Sequence, residues 1–543
     1  MSNAEKSAIL FSDKTKSTFI LDIPQSIKQA QSLSPHQKET QQNPPLSISL
    51  LHSQEFKSTN KYLISTLPLA EPYPTTTEPK SESARAQVLA RIPEGERTYH
   101  EGILPVVNDA LETIQQDFGS QQGWCLPRYF VDKSQTSAGF VKRGDDDCAS
   151  VSLKRRRISS SRDLSKYQSG TNSDGFDHET SAFYENSGSG STQFDHPPVI
   201  LSSTSENEFE TMSEVNGVVK NTSFETAHLS ISNHEMNLNG VSSSTRYIIP
   251  PRSNFILCTL PLSSHPHDNT FTSDSIPTHT RNHHEEQPIP GLSKDQKFNL
   301  ILFDPPWPNK SVRRSKHYQT HPYAEMDSLT KQLSNILQIH AQPPTSDSND
   351  STQHPSIAAI WITNAEKARR AAYNALNTSG FRVCEEWIWV KVTNRGIPIT
   401  PINGLWRKPY EILIIGRKNG IMHEAECDCS SAIHMNVDVN VQRSSILGSY
   451  SESDFHSVRE KITRRVIAAV PDIHSRKPNL RDLFEDIFFT GGDAATNSSS
   501  AGVGGSYMAM EVFARNLTAG WWGCGNEVLK FNEEKCWADS DLN

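Results

Sequence analysis

What this chain has little of bounds it before any motif does. Hydrophobic residues make up only 35% of its 543 positions and its mean hydropathy is −0.57, so composition predicts one substantial packed domain where length alone would allow two or three. No apolar run approaches the roughly 20 residues that span a bilayer, and the N-terminus lacks the basic start and apolar core of a secretion signal. The expectation is a soluble, intracellular protein without a membrane partner. The eight cysteines are scattered, with no CxxC pair, which argues against a disulfide scaffold and against a zinc site; Cys427-Asp428-Cys429 reads as loop, and no metal is expected. Neither a GxGxxG fingerprint nor a Walker A sequence occurs, so a dinucleotide or triphosphate cofactor is disfavoured. Net charge is −9, so nucleic acid is not attracted globally and would have to be met by local basic clusters. Internal repeats and sustained heptads are missing too.

Ser, Thr, Asn and Pro crowd the first half. Such tracts cannot bury enough apolar surface to offset chain entropy, and residues 1–245 are expected to be mostly disordered, low-complexity sequence. Two ordered islands are predicted inside them. Residues 8–23 could supply short strands, and residues 102–118 place Ile103, Val107, Leu111 and Ile114 at helical spacing. Lys142-Arg143 and Lys154-Arg155-Arg156-Arg157 resemble a bipartite nuclear-import signal, which predicts a nuclear protein; a solvated charge run is the bland alternative.

Order is expected from Arg246, in a domain spanning residues 246–535 with polar insertions near 263–296, 420–460 and 490–506. Within it strands and helices alternate: helix 326–340 with Leu329, Leu333, Ile336 and Leu337 on one face, strand 357–362, helix 365–378 closed by Gly380, strands 381–393, 411–416 and 466–470, helix 480–489 and strand 507–513. Such alternation predicts an α/β fold, a doubly wound sheet with helices on both faces.

The stretch that organises this domain is 298–317, FNLILFDPPWPNKSVRRSKH. Leu300 to Phe303 read as a buried strand that stops at Asp304-Pro305-Pro306-Trp307, and active sites of open α/β sheets lie at such strand ends. The prolines stiffen the loop and keep their carbonyls out of a helix ladder. A carboxylate, free carbonyl acceptors and an indole face suit a planar ring carrying an exocyclic amine, such as adenine; the alternative is that Trp307 is simply core. Lys310, Arg313, Arg314, Lys316 and His317 follow at once, placed to meet phosphates flanking a bound base. Three more constellations fall near strand ends. His474-Ser475-Arg476-Lys477-Pro478 precedes a predicted helix, where clustered cations suggest a shared anion such as an amino-acid carboxylate. Glu511 lies on the last strand with Arg515 and Asn516 just beyond. In Gly523-Cys524-Gly525-Asn526-Glu527 the backbone can approach a ligand while Asn526 and Glu527 offer oxygens to sugar hydroxyls.

Taken in order, YIIPPRSNFIL, FDPPWPNKSVRRSKHY, EEWIWVKVTNRG, RKPYEILIIGR, HSRKP and EVFARNLTAGWWGCGNEVLKF resemble the DPPW-type adenine-N6 methyltransferases, the family of the catalytic subunit of the messenger-RNA N6-adenosine methyltransferase, and most closely its methyltransferase-like protein four branch. The resemblance covers residues 246–531. It implies a Rossmann-like sheet with the catalytic strand before the cofactor strand, S-adenosylmethionine as methyl donor, and the target adenine held by Asp304, Pro305, Pro306 and Trp307. It also implies that Lys477 pairs with the donor's carboxylate, that Arg515, Asn516, Asn526 and Glu527 hold its ribose and neighbouring atoms, and that Glu511 supports them. Where relatives carry an acid near the donor's adenine, this chain has Cys258-Thr259-Leu260, leaving Thr259 as the candidate acceptor. The implied substrate is nucleic acid, RNA favoured over DNA, with 2′-O-methyladenosine of small nuclear RNA one target the resemblance suggests. A silent nucleic-acid-binding scaffold and methylation of a protein glutamine amide stay open at this point, as do a monomer and a partnered enzyme.

Overall fold

The computed structural model of the protein describes residues 6–35, 37, 61–74, 78–79, 81–119, 122–130, 197–236, 242–261, 287–307, 326–343, 354–405, 407–418, 462–474, 476–490 and 507–539. The first 130 residues supply β1 (Ile9–Ser12), β2 (Thr18–Leu21), α1 (Ile23–Gln29), β3 (Lys61–Leu63), α2 (Glu82–Leu89) and α3 (Glu94–Asp117). Next come β4 (Val199–Ile200), β5 (Asn207–Phe209), β6 (Val218–Lys220), β7 (Ala227–Met236), β8 (Ser242–Ile249) and β9 (Asn254–Ile256). The remainder is β10 (Leu300–Phe303), α4 (Met326–His340), β11 (Ile357–Ile362), α5 (Glu366–Thr378), β12 (Phe381–Lys391), β13 (Tyr410–Lys418), β14 (Thr463–Ala469), α6 (Arg481–Phe484), β15 (Ala509–Val512), β16 (Trp522–Cys524) and β17 (Trp537–Asp539). No helix among them is long and apolar enough to cross a membrane.

Twelve strands form one sheet in the order β1-β2-β14-β12-β13-β11-β10-β15-β16-β9-β6-β4. Its α/β character is as expected, and β10, α4, β11, α5 and β12 alternate as the sequence predicts. The sheet is mixed, however, and not parallel throughout. β13 runs antiparallel to both β11 and β12, because residues 392–409 connect β12 to β13 without the helix that a parallel crossover needs. The flanking pairs β10–β11, β10–β15, β15–β16, β16–β9, β12–β14 and β14–β2 are all parallel.

Why the central strands are apolar without alternation is clear from what covers them. Ile301, Phe303, Ala358, Ile360 and Ile362 face one core, roofed by Ile103, Val107 and Ile114 of α3, Leu333 and Ile336 of α4, and Ala372 and Leu376 of α5. Leu300, Leu302, Ile357, Ala359 and Trp361 face the other, closed by Ile23 and Ile27 of α1, Leu483 and Phe484 of α6, and Trp537 of β17. A strand buried on both faces has no solvent side to mark with polar residues. α5 ends at Gly380, whose φ of +78° a side chain would oppose.

The expected start of order at Arg246 needs correction. β1 and β2 extend the sheet beyond β14, β4 and β6 extend it beyond β9, and the described residues up to 130 cluster with the C-terminal half in one compact unit. The polar average of this region hid short segments that bury well: Phe19, Ile20 and Leu21 are at most 2% exposed. The insertion expected over 263–296 is likewise shorter at its end, since Ile289 and Leu292 are core residues. Helix 480–489 is one α turn continued as a π turn over Glu485–Phe489. The basic run 142–157 lies outside the described residues.

Candidate active site

The strand directions put one edge of the sheet in charge of chemistry. β10, β11, β12, β14, β15 and β16 all end there, and the chain leaves β10 toward β11 on one side while β15 lies on the other. The crevice at such a reversal is where open α/β sheets bind ligands. Asp304 ends β10 in that crevice, 9% exposed, with its N–H donated to Val512 at the end of β15.

Both oxygens of Asp304 are gripped. Lys477 Nζ lies 3.1 Å from Oδ1 and Arg515 Nη1 lies 2.8 Å from Oδ2. Each cation has a second anion: Lys477 reaches Glu411 at 2.7 Å, and Arg515 reaches Glu527 at 2.9 Å. Glu411 also meets Lys391 at 2.5 Å, and Glu527 meets Lys530 at 2.9 Å. The result is a line of alternating charge, Lys391–Glu411–Lys477–Asp304–Arg515–Glu527–Lys530, laid across the strand ends. Burial works against each charge, but the neighbours win: Lys391 and Lys477 hold the Glu411 carboxyl well below the usual range, Asp304 and Glu411 hold the Lys477 ammonium above the lysine range, and Lys530 and Arg515 hold Glu527 down. Glu411, Lys477 and Glu527 therefore stay charged at neutral pH. Glu511, opposite Leu302 on β15, behaves differently. Burial, and then the nearby Asp304 charge, push it up to about 8, with Arg515 and Lys477 offsetting only part, so at neutral pH its carboxyl keeps a proton.

Local backbone explains how Arg515 arrives. Phe513 takes a φ of +62°, turning the chain sharply at the end of β15. Gly525, with φ +141°, passes so close that a Cβ there would sit 3.1 Å from Phe513 Cα; only glycine fits.

Several expectations change at this site. Trp307 does not offer an indole face: it is 5% exposed, belongs to the core, and donates its indole N–H to the Trp361 carbonyl at 2.6 Å. Its role is to pin the loop, and its own N–H takes the Pro305 carbonyl at 2.8 Å. Arg476 and Lys477 do not sit at a helix start that would bind an anion, because they lie four or more residues ahead of α6, which begins at Arg481. Lys477 is balanced instead by Asp304 and Glu411, and Arg476 by Asp472 at 2.5 Å. Pro306 is half-buried, Asn516 is half-buried, and Asn526 and Thr259 are exposed; the ion pairs and charge interactions described join Asp304, Lys477, Arg515, Glu511 and Glu527 and include none of these four. Lys310, Arg313, Arg314, Lys316 and His317 lie outside the described residues. Sequence reasoning missed Lys391 and Glu411. A charged residue at each edge of an apolar strand run, in WIWVK and YEILIIG, was the available signal. Among the described residues no cluster of His, Cys, Asp and Glu could hold a metal ion.

Comparison with known proteins agrees with the motifs. Residues 298–449 match the MT-A70 family model, so the chain carries an MT-A70 domain, and the resemblance read from its motifs is borne out. The match takes in Asp304, Lys391 and Glu411 but stops before Lys477 and Arg515. The chain is 32% identical over 253 residues to the N6-methyladenosine RNA methyltransferase MTA1 of Cryphonectria parasitica, covering 45% of this chain and 55% of that one. It is 29% identical over 294 residues to the N(6)-adenine-specific methyltransferase METTL4 of Homo sapiens, covering 53% and 44%. A DNA N6-methyl methyltransferase of Caenorhabditis elegans is 26% identical over 186 residues, covering 34% and 40%. The chain thus spans about half the length of the curated relatives it matches.

Proposed function

We propose that this protein, as the bearer of an MT-A70 domain, is an S-adenosylmethionine-dependent methyltransferase acting on N6 of adenine in nucleic acid, with RNA the favoured substrate. One observation carries the reading: a buried carboxylate, Asp304, at the reversal of the sheet, with both oxygens fixed by cations that are themselves fixed. The names of the relatives support adenine N6 as the target and RNA ahead of DNA.

The residues at the edge fit the donor by chemistry. Lys477 and Arg515 suit its carboxylate, and Glu527, Asn526 and Asn516 its ribose hydroxyls, with Thr259 toward its base and Glu511 supporting them. When bound, S-adenosylmethionine supplies a methyl group on a positively charged sulfur. An adenine N6 lone pair is delocalised into the ring, so the enzyme must draw the nitrogen toward tetrahedral geometry. Asp304 accepts one amine hydrogen. Pro305 has its carbonyl taken by Trp307, which leaves the Pro306 carbonyl to accept the other. Asp304 is then placed to take the proton that N6 sheds. The base must leave any stack to reach this buried carboxylate, which favours single-stranded or looped substrate.

Incubating purified protein with donor and RNA, then digesting to nucleosides for mass spectrometry, tests the reading. N6-methyladenosine should form, and Asp304→Asn should lower kcat by at least about 100-fold, the scale of a lost preorganised contact, with little change in melting temperature because Lys477 and Arg515 each keep a second carboxylate. Donor and nucleic-acid binding without product from RNA or DNA would favour the scaffold reading. On the same proposal Lys310, Arg313, Arg314, Lys316 and His317 meet phosphates. Neutralising Arg313 and Arg314 should flatten the dependence of log K on log salt by about 0.7 per lost single-strand contact. We also propose a nuclear location from the basic run; imaging a variant lacking residues 154–157 should show it move to the cytoplasm.

A further inference from the structure

Beneath the charged edge lies a second cluster that no part of the chemistry above uses. Asp472, Arg128 and Arg476 have side chains at most 1% exposed. Asp472 accepts from Thr66 N at 2.8 Å and from Arg476 Nη1 at 2.5 Å, with Arg128 Nη1 at 3.7 Å. Arg128 in turn donates to three carbonyls: Thr66 at 3.2 Å, Pro471 at 2.9 Å and Val470 at 2.7 Å. Arg476 donates to Ile64 O at 2.9 Å and lies 4.6 Å over the ring of Phe531. Asp22, buried at the start of α1, caps Gln25 N and holds Leu126 N, both at 2.9 Å.

These contacts share a direction. Five of them join the N-terminal segments to the loop 470–476 that delivers Lys477: Thr66 and Arg128 to Asp472, Arg128 to the Pro471 and Val470 carbonyls, and Arg476 to the Ile64 carbonyl; Asp22 ties the N-terminal segments to one another through Leu126. The described residues of this loop carry no helix of their own. Phe531, under Arg476, donates its N–H to Arg515 O at 2.8 Å, so the cluster also underlies the second cation on Asp304. Arg and Asp are costly to bury, and are retained where their fixed geometry is needed.

We propose that Arg128 and Asp472 are positioning residues: the buried network they form with Asp22 and Arg476 sets the place of Lys477, and so makes donor binding depend on N-terminal segments that contribute no group to the site. This rests on the proposed function only in taking Lys477 as a donor-binding residue.

The test is a double-mutant cycle on the full chain, read as calorimetric donor affinity and as the donor KM against kcat. Lys477→Ala should weaken donor binding by about 30-fold, which is ~2 kcal/mol. Asp472→Asn and Arg128→Lys should each raise the donor's KM by about 5- to 30-fold with kcat at saturation largely kept. In the Lys477→Ala background the effect of Asp472→Asn should shrink to the small part that runs through Arg476, Phe531 and Arg515, because its main route to the donor is gone. A cluster that only stabilises the fold would instead lower kcat by shrinking the active fraction, at unchanged KM, as Tyr373→Phe, far from the site but bonded to buried Glu386, is expected to do. Should Asp472→Asn not fold, Thr66→Val removes only the hydroxyl contact at 3.2 Å and serves in the same cycle. Equal loss of affinity from the cluster variants with and without Lys477 overturns the positioning role. Unchanged affinity in Lys477→Ala alone overturns the donor-site assignment instead, so the two failures are distinguishable.

Discussion

Asp304 is unusual as a candidate catalytic carboxylate in being held at both oxygens, and Glu511 is unusual in being held at neither among the bonds described. That contrast is testable by pH. The Glu511 carboxyl titrates near 8 in the folded protein against an ordinary 4.5. Below 4.5 it is protonated in both states. Between 4.5 and 8 the unfolded chain releases the proton while the native state keeps it, so the native state binds more protons and stability falls as pH rises, levelling off above 8. Glu511→Gln removes this slope. Melting curves at pH 5 and pH 8 should therefore show the variant gaining on the wild type as pH rises; a difference independent of pH would mean that Glu511 ionises normally. Glu411 and Lys391 make a complementary point at the same scale. They were not legible as site residues, because a charge at a strand edge is usually a solvated end, and only the register that sets Glu411 beside Trp389 of the neighbouring strand turns it inward to Lys477.

At the scale of elements, the loop after β10 shows how a strand end becomes a site. Asp304 is tied to β15 by its N–H, and Trp307 is tied to the end of β11 by its indole. The residues between these anchors are the two prolines, so the loop has few ways to move. Trp307→Phe keeps the apolar bulk and removes the N–H, leaving the Trp361 carbonyl without that partner in a buried place. The expected cost is about 1–3 kcal/mol, seen as a lower melting temperature. kcat should fall with it while donor affinity is kept, since Asp304 loses its placement and Lys477 and Arg515 do not. Donor affinity falling in parallel with stability would show that the loop does not act independently of the cation line. The antiparallel turn of β13 belongs here too. Its apolar run looks like that of a parallel strand, because both kinds are covered on both faces in this sheet; the missing helix over 392–409 was the clue to its direction.

For the whole molecule, the two kinds of polar sequence have opposite standing. Residues 419–461 leave from the end of β13 and return at the start of β14, which the reversed direction of β13 puts at the edge opposite Asp304. One strand, β12, separates those two points, which face Phe381 and Glu385 on it, a gap of about 16 Å that six Gly/Ser residues span. Replacing 420–460 by such a linker should leave kcat/KM within about threefold, an RT-scale change. Removing residues 1–130 should abolish folding: β2 pairs with β14, α3 roofs the main core, and α1 closes the other face. Circular dichroism and donor calorimetry on both truncations check this, and a folded, donor-binding protein lacking 1–130 would refute the integrated fold.

The sequence by itself determined the α/β class, the strand ending at Asp304, and the family kinship, because these rest on local signals: an apolar run cut by two prolines, and motifs in a fixed order. It also supplied Lys477, Arg515, Glu511 and Glu527 as members of one site. Only the tertiary structure decided which of them meet, because ion pairs between residues 304, 411, 477 and 515 depend on strand order and register, which composition and periodicity do not encode. The same holds for Trp307, whose indole is core because β11 happens to place a carbonyl beneath it. It holds most of all for the first 130 residues, whose polar average concealed a few short apolar segments that bury fully once β14 and the sheet faces are there to receive them.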